Sequence, residues 1–371
     1  MHKATGESPW TPEIIMTSDF KSRFPNAADG HFRSAQGLTL SSVGIGTYLG
    51  DWDETTDDNY AEAIVRFVEL GGNVIDTAAN YRFQRSERSI GRALKSLAEK
   101  GIGRDELFIS TKAGFLPFDG EPPKDVNQYF EETFVKKGIA RFEDLAGGSH
   151  CMTPDYLEDQ IEQSLRNMGL ESIDLFYIHN PESQPSAVDK YTFEARLAKA
   201  FERLEEIRSS GRTKFYGAAT WNGFRVTPDN QSYHSMERMV GIARQVGGED
   251  HGFRFIQLPH NLAMPEAYLM PNQAVAGKVR TAFEAARELG LTAMTSASIL
   301  QGKLTHSVPF HIREILGNPL TDALAAIEFV RSTPGVTTAL VGMSNAAHVE
   351  ENMRLVESEP VTEERFAELF Q

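Results

Sequence analysis

The 371-residue sequence contains a single cysteine, Cys151. This excludes an intrachain disulfide and any cysteine metal cluster. Cations are in short supply: 37 Lys and Arg stand against 52 Asp and Glu, a formal charge of −15. A surface of that sign repels phosphate backbones, so no nucleic-acid partner is expected. No apolar run reaches the ~18 residues that a membrane-spanning helix requires, so no membrane partner is expected either. Residues 1 to about 30 lack the apolar stretch of a secretory signal and read as a polar arm. The expectation is a cytoplasmic protein. No G-x-G-x-x-G follows the first strand-like run, and no dense His/Asp/Glu pattern suggests a metal.

What remains is an ordinary globular composition, 40% hydrophobic and 24% charged. Short β-rich runs alternate with longer segments of helical apolar spacing. The strand candidates are Ser42–Tyr48, Asn73–Ala78, Leu107–Ala113, Ile173–His179, Lys214–Thr220, Arg254–Pro259, Leu291–Ala297 and Thr338–Gly342. The helix candidates are Tyr60–Leu70, Ser86–Glu99, Pro154–Met168, Ala195–Arg208, His234–Arg244, Ala274–Leu289, Leu320–Arg331 and Ala346–Val356. Runs such as "DLFYIH" and "RFIQLP" are apolar on both faces, as in a covered parallel sheet. Eight alternations predict an α/β fold of the (β/α)8 TIM-barrel type. An open doubly wound sheet is the alternative, weakened by the missing glycine-rich turn. Residues 1–36 are assigned to an N-terminal arm, with a barrel-closing hairpin predicted over His31–Leu40. Residues 37–371 form one barrel, interrupted at about 115–152 by an insertion after the third strand. Loops of that length are usually functional or mobile. A substrate wall and a decoration packed on its neighbours are equally open readings.

Chemistry gathers at the strand ends. The second strand ends at Asp76, with Tyr81 on the following loop. The third ends near Lys112 and the fourth at His179. Taken singly, such a lysine is usually solvated and such a histidine is usually a core residue. In a parallel barrel, however, all four face one rim. An ammonium beside Tyr81 is expected to lower its pKa from ~10 and improve it as a proton donor. Asp76 supplies the counter-ion that burial of Lys112 demands, and His179 is placed to orient a carbonyl.

The motifs "GLTLSSVGIGTY", "NVIDTAANY", "ISTKAG", "DLFYIHNP" and "GMSNAAHVEENM" stand in order between Gly37 and Leu355. With them the chain resembles the aldo-keto reductase superfamily. The resemblance implies reversible interconversion of a carbonyl (an aldehyde, ketone or sugar-type compound) and an alcohol, with no metal. Tyr81 would be the general acid/base, tuned by Lys112 and Asp76, with His179 orienting the substrate. It further implies a nicotinamide cofactor, NADP(H) favoured over NAD(H) on the family's habit. That cofactor would be held by Gly46, Thr47, Tyr48, Asp76, Thr220, Gln257, Ser296, Ile299, Lys303, Gly342, Ser344, His348, Glu351 and Asn352. The sequence departs from the family pattern in three places. Ala219-Thr220 replaces Ser-Asn, Ser296-Ala297 stands where a stacking aromatic is common, and no Lys or Arg occupies Gly342 or His348. Trp221 is the substitute ring and Lys303 the substitute cation. Tyr48, Tyr81, Phe115, His179 and Trp221 are the candidate substrate contacts, with Phe224 a further wall residue. The partner is then a small carbonyl or alcohol. Monomer and small homo-oligomer are equally compatible with a self-closing barrel. The alternative function is a nicotinamide-binding regulatory or scaffold protein of the same fold.

Overall fold

The computed structural model describes residues 17–371. The first 16 residues of the predicted arm lie outside the described residues. A hairpin, β1 (Phe32–Ala35) and β2 (Leu38–Ser41), pairs antiparallel ahead of the barrel. The barrel strands are β3 (Val43–Gly46), β4 (Val74–Asp76), β5 (Phe108–Ala113), β6 (Ile173–His179), β7 (Thr213–Ala219) and β8 (Phe253–Pro259). A small antiparallel pair follows, β9 (Gln273–Val275) and β10 (Lys278–Arg280). The barrel resumes with β11 (Thr292–Ser296) and β12 (Val336–Gly342), which pairs with β3 and closes the ring. All eight barrel strands are parallel, each within one of the predicted runs or one to two residues beyond it.

Burial on both faces explains the near-continuous apolar strands. Val74, Phe108, Leu175, Tyr177, Phe255, Met294 and Leu340 fill the barrel interior. Leu38 and Leu40 of the hairpin join that cluster from the amino-terminal end. The hairpin is fastened there by Arg33, which donates to the carbonyl of Val336 at 2.7 Å, and by Gln36, which donates to that of Gly290 at 3.0 Å. The hairpin thus plugs the amino-terminal end and leaves the carboxyl rim uncovered by it.

Outside, helices cover the strands through apolar stripes. In Glu54–Glu69 the buried side chains Tyr60, Ala63, Ile64, Phe67 and Val68 recur at three- and four-residue spacing, and Asp53 caps the amino end by accepting from Thr56 N–H. Truncating a buried ring such as Phe67 costs about 3–5 kcal/mol. None of the described helices is long and apolar enough to cross a membrane.

One predicted helix is corrected. Ala274–Leu289 divides into the β9–β10 pair and a shorter helix, Ala282–Glu288. Ala276 and Gly277 have φ of 48° and 77°, the two left-handed residues of a tight hairpin turn. The Ala276 N–H is held by Glu237 at 2.8 Å. Thr281 and Glu284 then form a capping box that starts the helix afresh.

The segment between β5 and the helix Pro154–Met168 is ordered and packed. Its ends lie side by side, with Leu116 N–H donating to Ser149 and Cys151 N–H to Gly114. A short helix, Val126–Phe130, buries Phe130 and leads into a further turn that buries Phe134, both against the main core.

Candidate active site

Strand registry brings the chemistry together. Asp76 lies opposite Gly46 on one side and Ser110 on the other. Ser110 and Lys112 are two apart on β5 and so share its inward face. Lys112 donates from Nζ to Asp76 Oδ2 at 2.5 Å and to the Thr77 carbonyl at 2.7 Å. Asp76 Oδ1 accepts from Ser110 Oγ at 2.8 Å and from Gln257 Nε2 at 2.9 Å. Lys112 is fully buried and Asp76 nearly so. A pair in that setting persists only because its remaining hydrogen-bonding capacity is met.

Tyr81 sits above this pair, its ring centre 5.0 Å from Lys112 Nζ. Tyr48 meets the ring edge-on at 4.9 Å and His179 at 5.8 Å. Phe115 packs against His179 at 5.4 Å. The pKa of Tyr81 moves opposite to expectation. Desolvation pushes the phenol well above 10, and the Asp76 carboxylate and Tyr48 add to it. The positive charge of Lys112 is engaged by Asp76, so it does not dominate at the phenol. Burial lowers the pKa of Lys112, with Asp76 opposing. His179 is driven well below its usual value by burial and by Lys112. Near neutrality the rim therefore presents a protonated phenol beside a neutral imidazole.

The chain just after Tyr81 is unusual. Arg82, Phe83 and Gln84 are all left-handed, with φ of 47°, 56° and 70°. Each such non-glycine residue costs on the order of 1–2 kcal/mol. The turn is held by the buried Arg82–Asp57 ion pair and by Arg82 Nε donating to the Asp51 carbonyl. Gly120 N–H donates to Phe83 O at 2.9 Å, and Gln84 Nε2 donates to Phe118 O at 3.1 Å. Thus the long segment after β5 supports the turn that carries Tyr81. Trp52 joins Phe83 at 5.2 Å, and Phe83 joins Phe118 at 6.1 Å, extending the aromatic surface.

The remaining predicted contacts divide into two groups. Ile299, Gly342, Ser344, His348, Glu351 and Asn352 line one cleft of about 370 Å³ at the ends of β11 and β12. Leu49, Tyr60, Gln301, Gly302, Thr305, His306, Thr321 and Ala323 complete it, and none of the lining residues is Lys or Arg. Thr321 Oγ1 donates to Glu351 at 2.7 Å. Nearer the barrel axis, Thr220 is buried with an unpartnered Oγ1. This hydroxyl and the cleft fit a long polar ligand laid across the rim.

Other predicted residues are engaged or turned away. Thr47 is fully buried, its hydroxyl donating to Thr77 Oγ1 at 2.8 Å. Lys303 is exposed on its loop, outside the cleft lining. Ser296 ends β11 half-buried, and Gly46 ends β3. Trp221 is 43% exposed at the end of β7, whereas Phe224 is fully buried in the core and forms no wall. Sequence reasoning missed Ser110, though its place two residues before Lys112 was a sufficient signal. It also missed Trp52, Phe83, His150 and Gln184, which reach the site only through loop geometry. Among the described residues, no three His, Cys, Asp or Glu gather as a metal site.

Comparison with known proteins decides the family: the Aldo/keto reductase family model matches residues 42–227, half of the chain. The chain belongs to the aldo-keto reductase family. It is 29% identical over 188 residues to a D-threo-aldose 1-dehydrogenase of Pseudomonas sp, covering 50% of this chain and 51% of that protein. It is 27% identical over 187 residues to an NADH-specific methylglyoxal reductase of Escherichia coli, covering 49% of each. The chain thus spans about half the length of these two relatives. A putative voltage-gated potassium channel subunit beta of Schizosaccharomyces pombe is 22% identical over 354 residues, 90% of this chain and 89% of that one. Among solved structures, a glycerol dehydrogenase of Gluconobacter oxydans matches with a TM-score of 0.64 at 19% identity, covering 92% of this chain and 94% of that chain. That likeness is one of fold. For this aldo-keto reductase, the closed barrel is the frame it shares with that structure.

Proposed function

We propose that the protein is a nicotinamide-dependent oxidoreductase that interconverts a small carbonyl compound and its alcohol. The observation that carries this reading is the convergence of Tyr81 with the buried Lys112–Asp76 pair and a neutral His179 on one rim. Bound NADH or NADPH would supply the hydride. Tyr81 donates its proton to the carbonyl oxygen and becomes a phenolate, which the nearby Lys112 ammonium stabilises as it forms. The high resting pKa of Tyr81 keeps the proton in place until that charge develops. His179, unprotonated, hydrogen-bonds the same oxygen and fixes its direction. In alcohol oxidation the same groups run in reverse.

The cleft lined by Gly342, Ser344, His348 and Glu351 is the proposed seat of the dinucleotide's far end, with Thr220 and Gln257 nearer the nicotinamide. A cleft that holds a carboxylate and no lysine or arginine suits a cofactor without a 2′-phosphate. The preference proposed here is therefore NAD(H), reversing the family's habit. The likeness to the NADH-specific methylglyoxal reductase of Escherichia coli supports this direction.

The channel-subunit relative, matched along nine-tenths of both chains, keeps a second reading in view: a nicotinamide-binding regulatory protein with little turnover. Titration of the purified protein with NADH and NADPH, followed by tryptophan quenching, and then an aldehyde and ketone panel, separates the two. Saturable binding with turnover supports the reductase. Binding without turnover on any probe supports the regulatory protein, and binding of neither cofactor would sink both.

A further inference from the structure

The segment after β5 touches the catalytic rim through His150, near its far end. His150 is fully buried, and an antiparallel bridge sets it beside Phe115. Its Nε2 lies 2.7 Å from the His179 carbonyl oxygen, and its Nδ1 lies 2.8 Å from Gln184 Nε2. An amide nitrogen only donates, so Nδ1 accepts and Nε2 carries the proton. The amide orientation of Gln184 is set in turn by Arg196, which donates to its Oε1 at 2.7 Å. The tautomer of His150 is thus fixed from both sides.

Gly114 makes room for this contact. A Cβ there would stand 2.5 Å from His150 Nε2 and 2.6 Å from the His179 oxygen. Only glycine lets the bond pass across its α-carbon.

His179 depends on that support. Its own Nδ1 has no hydrogen-bond partner, so no bond on that nitrogen orients the ring. Its placement rests on the rings of Tyr81 and Phe115 and on the peptide that carries it. The next residue, Asn180, turns left-handed with φ of 46°, and the His179 carbonyl accepts the bond from His150 Nε2–H. His150 also meets the Phe115 ring edge-on at 5.3 Å. One side chain therefore braces both the peptide and the flanking ring.

We propose that His150 is a positioning residue: bonded to the His179 carbonyl and packed on Phe115, it couples the 115–152 segment to the imidazole that orients the carbonyl substrate. The proposal rests on the reductase reading. It makes this segment part of the support of the catalytic rim, beyond its role as a packed loop.

The test uses the full chain with NADH, with methylglyoxal as a small probe and 4-nitrobenzaldehyde as a bulky one. The variants are His150→Leu, His150→Gln and Gly114→Ala. Imidazole 15N signals of His179 are read alongside, assigned by their loss in His179→Gln. His150→Leu is expected to lower kcat by about 10–100-fold, the scale of an ångström-sized misplacement. Its NADH Kd should stay within about twofold of the parent, and the His179 signals should move. His150→Gln, whose amide can donate where Nε2–H did, should recover most of kcat and restore those signals. Gly114→Ala should behave like His150→Leu. Unmoved His179 signals in a folded His150→Leu protein overturn the proposal. So does an equal loss in the Leu and Gln variants. Should the parent turn over neither probe while binding NADH, the reductase reading fails, and the His179 signals alone still decide whether His150 positions that ring.

Discussion

At the ends of β4 and β5 the charged atoms of the buried pair are answered within the protein. Asp76 takes Lys112, Ser110 and Gln257, and Lys112 takes Asp76 and the Thr77 carbonyl. At the ends of β11 and β12 the opposite holds: His306 and His348 line the cleft with exposed side chains. The first region is built so that nothing need move when charge develops on an oxygen, since preorganised dipoles act without reorganisation. The second has polar groups free to take a ligand's hydrogen bonds. On the proposed reading, one barrel rim separates the work of proton transfer, which needs rigidity, from the work of holding a cofactor, which needs unspent contacts.

Tyr81→Phe separates the two regions most directly. It removes one oxygen from the answered region and leaves the open cleft untouched. Carbonyl turnover should fall by about 10²–10⁴-fold, while the NADH titration remains unchanged. Loss of both would show that the two regions are not separable. Retained turnover would remove Tyr81 as the acid.

Next in size is Asp76→Asn. It leaves the Lys112 ammonium buried without its counter-ion, a change that typically costs about 3–5 kcal/mol of stability. Desolvation already lowers the pKa of Lys112 with Asp76 opposing, so in the variant the lowering goes further and the amine sheds its proton more readily. The double variant Asp76→Asn with Lys112→Met should recover part of the stability but none of the turnover. Denaturant midpoints and steady-state rates on the same samples read the two effects. A stability loss below about 1 kcal/mol in the single variant would mean that Thr77 and the surrounding dipoles suffice without the carboxylate.

How much of this was legible beforehand follows from the range of the interactions. The barrel strands were readable because strands covered on both faces are apolar at every position, a local signal. Asp76, Lys112 and His179 were readable because successive strand ends of a parallel barrel must share a rim. The Ala276–Gly277 turn was hidden inside a run that also fits helical spacing, and the local capping box at Thr281 was the overlooked clue. The direction of the Tyr81 shift was illegible because it depends on how deeply the phenol is buried and on which partner engages Lys112. His150 was illegible for another reason. Its bond to His179 spans 29 residues and exists only because Gly114 lets two chain segments approach. No periodicity announces such a contact.

A weaker effect is expected in the open region, at Glu351. Glu351 lines the cleft, half-buried, and its carboxylate accepts from the Thr321 hydroxyl. A 2′-phosphate placed in this cleft would meet that carboxylate with no cation among the lining residues to offset it. At an effective dielectric typical of a protein surface, like charges several ångströms apart repel by on the order of 1–2 kcal/mol. Glu351→Gln keeps the acceptor for Thr321 and removes the charge. The ratio of NADPH to NADH affinity should therefore shift toward NADPH by about tenfold, some 1.4 kcal/mol. The NADH Kd and the turnover of the NADH-loaded enzyme should change little, because the β4–β6 rim is not touched. An unchanged ratio would mean that the adenosine end lies elsewhere on the rim. A shift accompanied by loss of turnover would mean that the cleft and the proton-transfer site communicate, and the division of labour drawn above would have to be redrawn around whatever links Glu351 to Tyr81.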